Sequence, residues 1–185
     1  MRITQAGEGW LYRMTEQIKV SKGARHPRWV RWLRDIALLL AVFAVVQWWQ
    51  ARNLVKGPAP PLVGQLIDGS RYRLIPAEGP VLVHFWASWC PICRLEQDSI
   101  AGIAEDRPVM TVATTSGSAK ELMAYLSEQG LEMPVLMDQD GGIARSWGVS
   151  GVPATFVVDT DGNISHAGMG YATELGLRLR LWLAE

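Results

Sequence analysis

The segment VLVHFWASWCPICRLEQ, residues 81–97, places the tightest constraint on how this chain can fold. Val81 to Trp86 has the β-branched and aromatic character of a buried strand. Cys90 follows closely, and then Pro91, a residue suited to the first turn of a helix because it has no N–H to lose there. A buried strand running straight into a helix belongs to an α/β arrangement, in which helices cover the sheet.

Both cysteines of the 185-residue chain, Cys90 and Cys93, lie in this junction. They close too short a loop to restrict the unfolded chain, so they are not a structural staple. A structural zinc site draws on a cluster of Cys and His ligands, whereas His26, His84 and His166 are scattered singly. A redox pair, a soft-metal pair and two unrelated neighbours remain. In the first turn of a helix, unpaired backbone N–H groups and the helix dipole favour a thiolate at Cys90. Cys93, one turn deeper, would be the shielded thiol that resolves a mixed disulfide formed on an exposed Cys90.

The 18 basic and 18 acidic residues cancel. Residues 1–35 nevertheless carry eight Lys or Arg against three acids, so that tail is net +5 and the remainder net −5. A nucleic-acid binder would carry its basic residues on a folded surface; here they precede the most apolar run, IALLLAVFAVV at 36–46. That run is short for a span of about twenty residues, but a helix over 29–51 is long enough if its leading arginines snorkel to the headgroups. Trp29, Trp32, Trp48 and Trp49 would then sit near the two interfaces, and the basic tail would stay in the cytoplasm. A cleaved signal peptide would want small residues where VQWWQARN has bulky ones. The expected organisation is a cytoplasmic basic tail over 1–28, a single transmembrane anchor over 29–51, a Pro-rich linker over 52–61 and a periplasmic domain over 62–185.

Within the domain, 62–67 and 71–74 read as a hairpin around Asp68-Gly69. Strands are expected at 81–86 and 109–114, a helix from Cys90 to about 104 and another over 118–129. An extended stretch follows at 131–137, then a short helix at 142–147. A terminal hairpin of 155–158 and 164–168 turns at Asp159 to Gly162, which a turn explains better than a calcium site does. An amphipathic helix over 173–183 closes the chain. Met110, Met123, Met133 and Met137 lack a close Met-x-Met spacing and read as core.

FWASWCPIC resembles the FWAxWCxxC segment of the thioredoxin superfamily, and WGVSGVPATFVVD, residues 147–159, resembles its second signature. The resemblance implies a thioredoxin fold, a central mixed sheet flanked by helices. It also implies a cis peptide bond at Pro153 facing the thiols, and Val152 offering its backbone to an extended substrate segment. Glu96, three residues after Cys93, is similar to the active-site glutamate of the membrane-anchored TlpA, ResA and cytochrome c maturation thioredoxins. The outline over 28–185 is most similar to periplasmic disulfide oxidoreductases of the suppressor-of-copper-sensitivity D (ScsD) type.

By that resemblance Cys90, Cys93 and Glu96 are catalytic, with Glu96 one helical turn below Cys93 and exchanging its proton. The alternative for Glu96 is a solvated carboxylate paired with Arg94 or Lys120. Trp89, Val152 and Pro153 would meet the substrate, with Trp89 as a lid against the thiols and Trp86 as core or partner-facing surface. His84 stands where thioredoxin has a buried aspartate and is read first as a hydrogen-bonded core residue. Ile92 departs from thioredoxin's proline, so thioredoxin's potential does not carry over. The implied activity is disulfide exchange with protein substrates, needing no cofactor or metal. The expected direction is that of a reductant fed by a membrane donor of the DsbD kind; the alternatives are an oxidase with a DsbB-type acceptor, or a Cu(I)-handling module.

Overall fold

The computed structural model describes residues 28–51, 54–75 and 79–185. The expected tail upstream of Arg28 lies outside them, as do the side chains of Trp48 and Trp49. Helix α1 runs without a break over Arg28–Ala51. Among the described residues, however, no helix is long and apolar enough to cross a membrane. The physical reason is visible in the sequence: the apolar run is confined to 36–46, with Arg28, Arg31, Arg34 and Asp35 before it and Gln47 and Gln50 after it.

The second unit is an α/β domain built on a mixed six-stranded sheet. Its strands are β1 (Gly57–Pro58), β4 (Val81–Trp86), β5 (Val109–Thr114), β6 (Val135–Asp138), β7 (Ala154–Val158) and β8 (Asn163–Met169), with β2 (Val63–Gln65) and β3 (Arg71–Arg73) forming a separate hairpin. The order across the sheet is β1-β8-β7-β4-β5-β6. β4, β5 and β6 are parallel, while β7 is antiparallel to both β4 and β8. Helices α2 (Pro91–Arg94), α3 (Gln97–Ala104), α4 (Ala119–Gln129), α5 (Gly142–Ser146) and α6 (Glu174–Leu183) complete it.

Strand alternation sorts the core onto two faces. Val83, Phe85, Val112 and Phe156 pack with Trp147, whose ring meets Phe156 edge-on at 5.0 Å. Leu82 and Val157 face the other way, onto Ile100 and Ile103 of α3 and Leu177 and Leu181 of α6. His84 and Trp86 share the parity of Leu82 and are buried. The helices start where side chains satisfy their free N–H groups: Ser118 and Glu121 form a reciprocal capping box on α4, and Thr173 caps α6.

Two elements differ from expectation. The helix expected from Cys90 to about 104 is broken after Arg94, because Leu95 and Glu96 donate to carbonyls three residues back, Ile92 and Cys93, rather than four. The tightened turn rotates the Glu96 side chain inward, where none of it is exposed. The Pro-rich stretch, expected as a linker over 52–61, is part of the domain from Leu54 onwards. Gly57 and Pro58 pair with Ile164 and Asn163, Ala59 N–H donates to Gly162 O, Val55 N–H donates to Trp147 O, and Leu54 is buried. An extended proline-rich segment suits this edge position, since an edge strand tolerates a missing N–H.

Candidate active site

β4 ends at Trp86, and the turn after it delivers Cys90 as the N-cap of α2 at the C-terminal end of the parallel strands. Cys90 and Cys93 form a disulfide with Cα atoms 5.3 Å apart. The Cys93 N–H donates to Cys90 Sγ at 3.2 Å, so a free N–H of the first helical turn is aimed at the sulfur that would carry the thiolate. On its other side Cys90 Sγ lies 3.7 Å from the Val152 carbonyl oxygen. The Val152–Pro153 peptide is cis, as the resemblance implied.

The expected asymmetry between the thiols is small in this oxidised form. Cys93 is fully enclosed, but Cys90, expected as an exposed nucleophile, keeps only 3% of its surface because Val152 packs over it. Trp89, expected as a lid on the thiols, is 62% exposed, its indole N–H donates to Thr115 O at 3.1 Å, and with Arg145, Val149, Gly151 and Val152 it lines an open pocket of about 240 Å³. Trp86 is core, against the Tyr125 ring at 5.6 Å. Arg94 donates to Ser88 O and leaves Glu96 alone. Of the methionines, Met110 is buried while Met123 is exposed on α4.

Glu96 is therefore not a solvated helix carboxylate. Its Oε2 accepts the Ala172 N–H at 2.9 Å, just before α6, and its Oε1 lies 3.5 Å from His84 Nε2. Neither Oε1 nor Nε2 has a tighter hydrogen-bond partner. The other imidazole nitrogen, Nδ1, is 3.0 Å from Thr155 Oγ1, its direct neighbour across the β4–β7 ladder. Burial pushes the Glu96 carboxyl up to about 7, with the Ala172 N–H opposing, and pushes the His84 imidazole down to about 3. Near neutral pH the pair is thus an uncharged histidine beside an acid poised to gain or lose a proton.

Thr155 and the Ala172 N–H are site groups that the sequence reading missed. A Thr immediately after Val-Pro-Ala, on a strand pairing with the one that bears His84, is the available signal for the first. A backbone donor 76 residues from its acceptor leaves no such signal.

The model of the AhpC/TSA family matches residues 55–167, more than half of the chain. The chain belongs to the AhpC/TSA family. Relatives of this AhpC/TSA chain include the thiol:disulfide interchange protein DsbE homolog of Paracoccus denitrificans, 39% identical over 62% of this chain and 66% of the relative. The thiol:disulfide interchange protein DsbE of Allochromatium vinosum is 38% identical over 48% of this chain and 50% of its own length. The chain thus spans about half to two thirds of these two relatives. A thioredoxin-like protein of Haemophilus influenzae is 32% identical over 65% of this chain and 74% of its own length. Among solved structures, a thiol:disulfide interchange protein of the thioredoxin family from Chlorobium tepidum superposes with a TM-score of 0.60 at 24% identity, covering 70% of this chain and 97% of that one. The AhpC/TSA chain has the thioredoxin fold.

Proposed function

We propose that the chain is a protein disulfide oxidoreductase of the membrane-anchored TlpA, ResA and ScsD kind, working as a reductant outside the cytoplasm. The observation that carries this reading is the Cys90–Cys93 disulfide at the end of β4, with a backbone N–H directed at Cys90 Sγ. In the reductive direction the Cys90 thiolate attacks a client disulfide and the client's first thiolate leaves. The Cys93 thiolate then attacks Cys90 Sγ and releases the second, so two electrons pass to the client and the chain ends as the disulfide. Glu96 receives the proton that Cys93 gives up. Trp89, Val152 and Pro153 meet the client.

Protein clients are favoured by the apolar surface around the thiols, where Trp89, Ile92 and Leu95 are exposed. The names of the interchange relatives agree with that class. A buried acid available to take the resolving thiol's proton supports the reductive direction, which requires regeneration by a transmembrane donor of the DsbD kind. The unbroken α1, with arginines ahead of an apolar run, supports attachment to a bacterial inner membrane with the N-terminus in the cytoplasm and the domain in the periplasm.

Equilibration of the chain from Leu54 onwards in glutathione and dithiothreitol buffers tests the direction. A potential closer to thioredoxin's about −270 mV than to the about −120 mV of DsbA supports the reductive direction, and one near the latter would recast the protein as a disulfide donor. Cys93→Ser should trap clients as mixed disulfides on Cys90, whereas Cys90→Ser should trap none. Equal trapping by both variants would remove the assigned order of attack.

A further inference from the structure

Cys93, Glu96 and His84 are all buried, none with more than 1% of its surface exposed. A proton leaving Cys93 cannot pass directly to water, and a docked client would cover the Cys90 side. A second open pocket, also of about 240 Å³, is lined by Thr155, His166, Gly168, Tyr171, Ala172 and Arg180. It shares no lining residue with the pocket beside Trp89 and Val152. Thr155 and Ala172 border it, and these are the two groups that hold His84 Nδ1 and Glu96 Oε2.

Resting on the oxidoreductase reading, we propose that His84 and Thr155 form a proton wire joining Glu96 to this second pocket, so that the thiol pair exchanges protons with water by a path that does not run through Cys90. The chain of atoms is Glu96 Oε1, His84 Nε2, His84 Nδ1 and Thr155 Oγ1, with heavy-atom separations of 3.5 Å and 3.0 Å at its two links.

Cys93 loses its proton to the Glu96 carboxylate and becomes the thiolate. The protonated Glu96 then donates to Nε2 while Nδ1–H passes its proton to Thr155 Oγ1, whose own proton leaves to water in the pocket. One proton enters at Cys93 and one leaves at Thr155. Glu96 returns to a carboxylate, now accepting from Nε2–H, and His84 is neutral before and after in opposite tautomers. The low proton affinity that burial gives His84 suits a relay that passes a proton and does not keep it.

The titratable and charged groups facing the wire are Cys93 at its inner end and His166 of β8, Tyr171 and Arg180 of α6 at the pocket. Burial and Arg180 both lower the His166 pKa. The other neighbours on this face, Leu82, Val157, Ile100 and Leu177, are apolar. His84 and Thr155 are positioning residues, acting through Glu96 and not on the client.

The test is single-turnover reduction of insulin by the full-length reduced chain, followed by tryptophan fluorescence in H₂O, D₂O and their mixtures. For the wild type the plot of rate against deuterium fraction should bow, because several protons move together; a straight line overturns the wire. Thr155→Val removes the hydroxyl at nearly constant shape and should slow the turnover about a hundredfold, the low side of what a general acid–base group contributes, while straightening the plot. Thr155→Ser should keep the wild-type rate and the bow. Equal rates for the Val and Ser variants overturn the proposal. If Thr155→Val does not fold, the wild-type plot still decides. A wild type that does not reduce insulin at all overturns the oxidoreductase reading, a result distinct from an active enzyme indifferent to Thr155.

Discussion

Burial raises the Glu96 carboxyl to about 7 and lowers the His84 imidazole to about 3, and the two titrations move stability in opposite directions. The raised Glu96 contributes stability that is fully present below its unfolded value of 4.5 and is lost as pH rises through about 7. The depressed His84 contributes stability present above its unfolded value of 6.5 and lost as pH falls through that value toward 3. Between 4.5 and 6.5 the slopes oppose each other, so these two residues give a plateau there, with a fall on the acid side from His84 and on the neutral side from Glu96. Glu96→Gln removes the second fall while keeping a carbonyl for the Ala172 N–H. The variant should exceed the wild type by about 3 kcal/mol at pH 8, since one pKa unit is about 1.4 kcal/mol, and match it at pH 4. Urea unfolding at the two pH values checks this; a difference that does not change with pH would mean that Glu96 titrates normally. The same variant should resolve mixed disulfides more slowly, so at this residue stability and exchange rate part company.

At the scale of elements, the strand-to-helix junction at 81–93 was legible because apolar periodicity, Pro91 and the cysteine spacing agree there. The capped start of α4 and the hairpin turn at Asp159 could be read for the same reason: each is fixed by local side chains, and Asp159 Oδ1 does accept from both Asp161 and Asn163 N–H. The break between α2 and α3 was not legible, because it depends on Glu96 turning toward Ala172 and His84, partners far along the chain. The edge strand β1 escaped notice for a related reason. Pairing of two residues with β8 is a tertiary event, and a proline-rich composition masks it. Its contribution can be measured by comparing chains that begin at Leu54 and at Leu62. The shorter chain loses the buried Leu54 side chain, worth about 1.5–3 kcal/mol, and the hydrogen bonds from Val55 and Ala59, at about 0.5–1.5 kcal/mol each. It should unfold at clearly lower urea, with a loss of about 2.5–6 kcal/mol in all on those magnitudes. Equal midpoints would show the segment to be a spacer after all.

For the whole molecule, the proposed chemistry requires that the thiol pair be held on the side of a membrane where a transmembrane donor can reach it. α1 is the element available for that, and its lengths set the terms. Its 24 residues extend about 36 Å at about 1.5 Å each, but the eleven-residue apolar run covers only about 17 Å of a hydrocarbon layer about 30 Å thick. In the proposed anchor the remainder would fall to Trp29, Trp32 and the aliphatic stem of Arg34, each able to reach a headgroup while its apolar part stays in hydrocarbon. Such an anchor would depend on its flanking residues more than a longer apolar helix would. In alkaline carbonate washes of bacterial membranes, the full-length chain should remain in the pellet and the chain beginning at Leu54 should not sediment. Changing Arg28, Arg31 and Arg34 together to Glu should weaken insertion or reverse its direction, because it is the basic residues that keep their side in the cytoplasm. If carbonate instead releases the full-length chain, α1 lies along the interface. The domain would then share a compartment with the basic tail, and a donor acting across the membrane could not be its source of electrons.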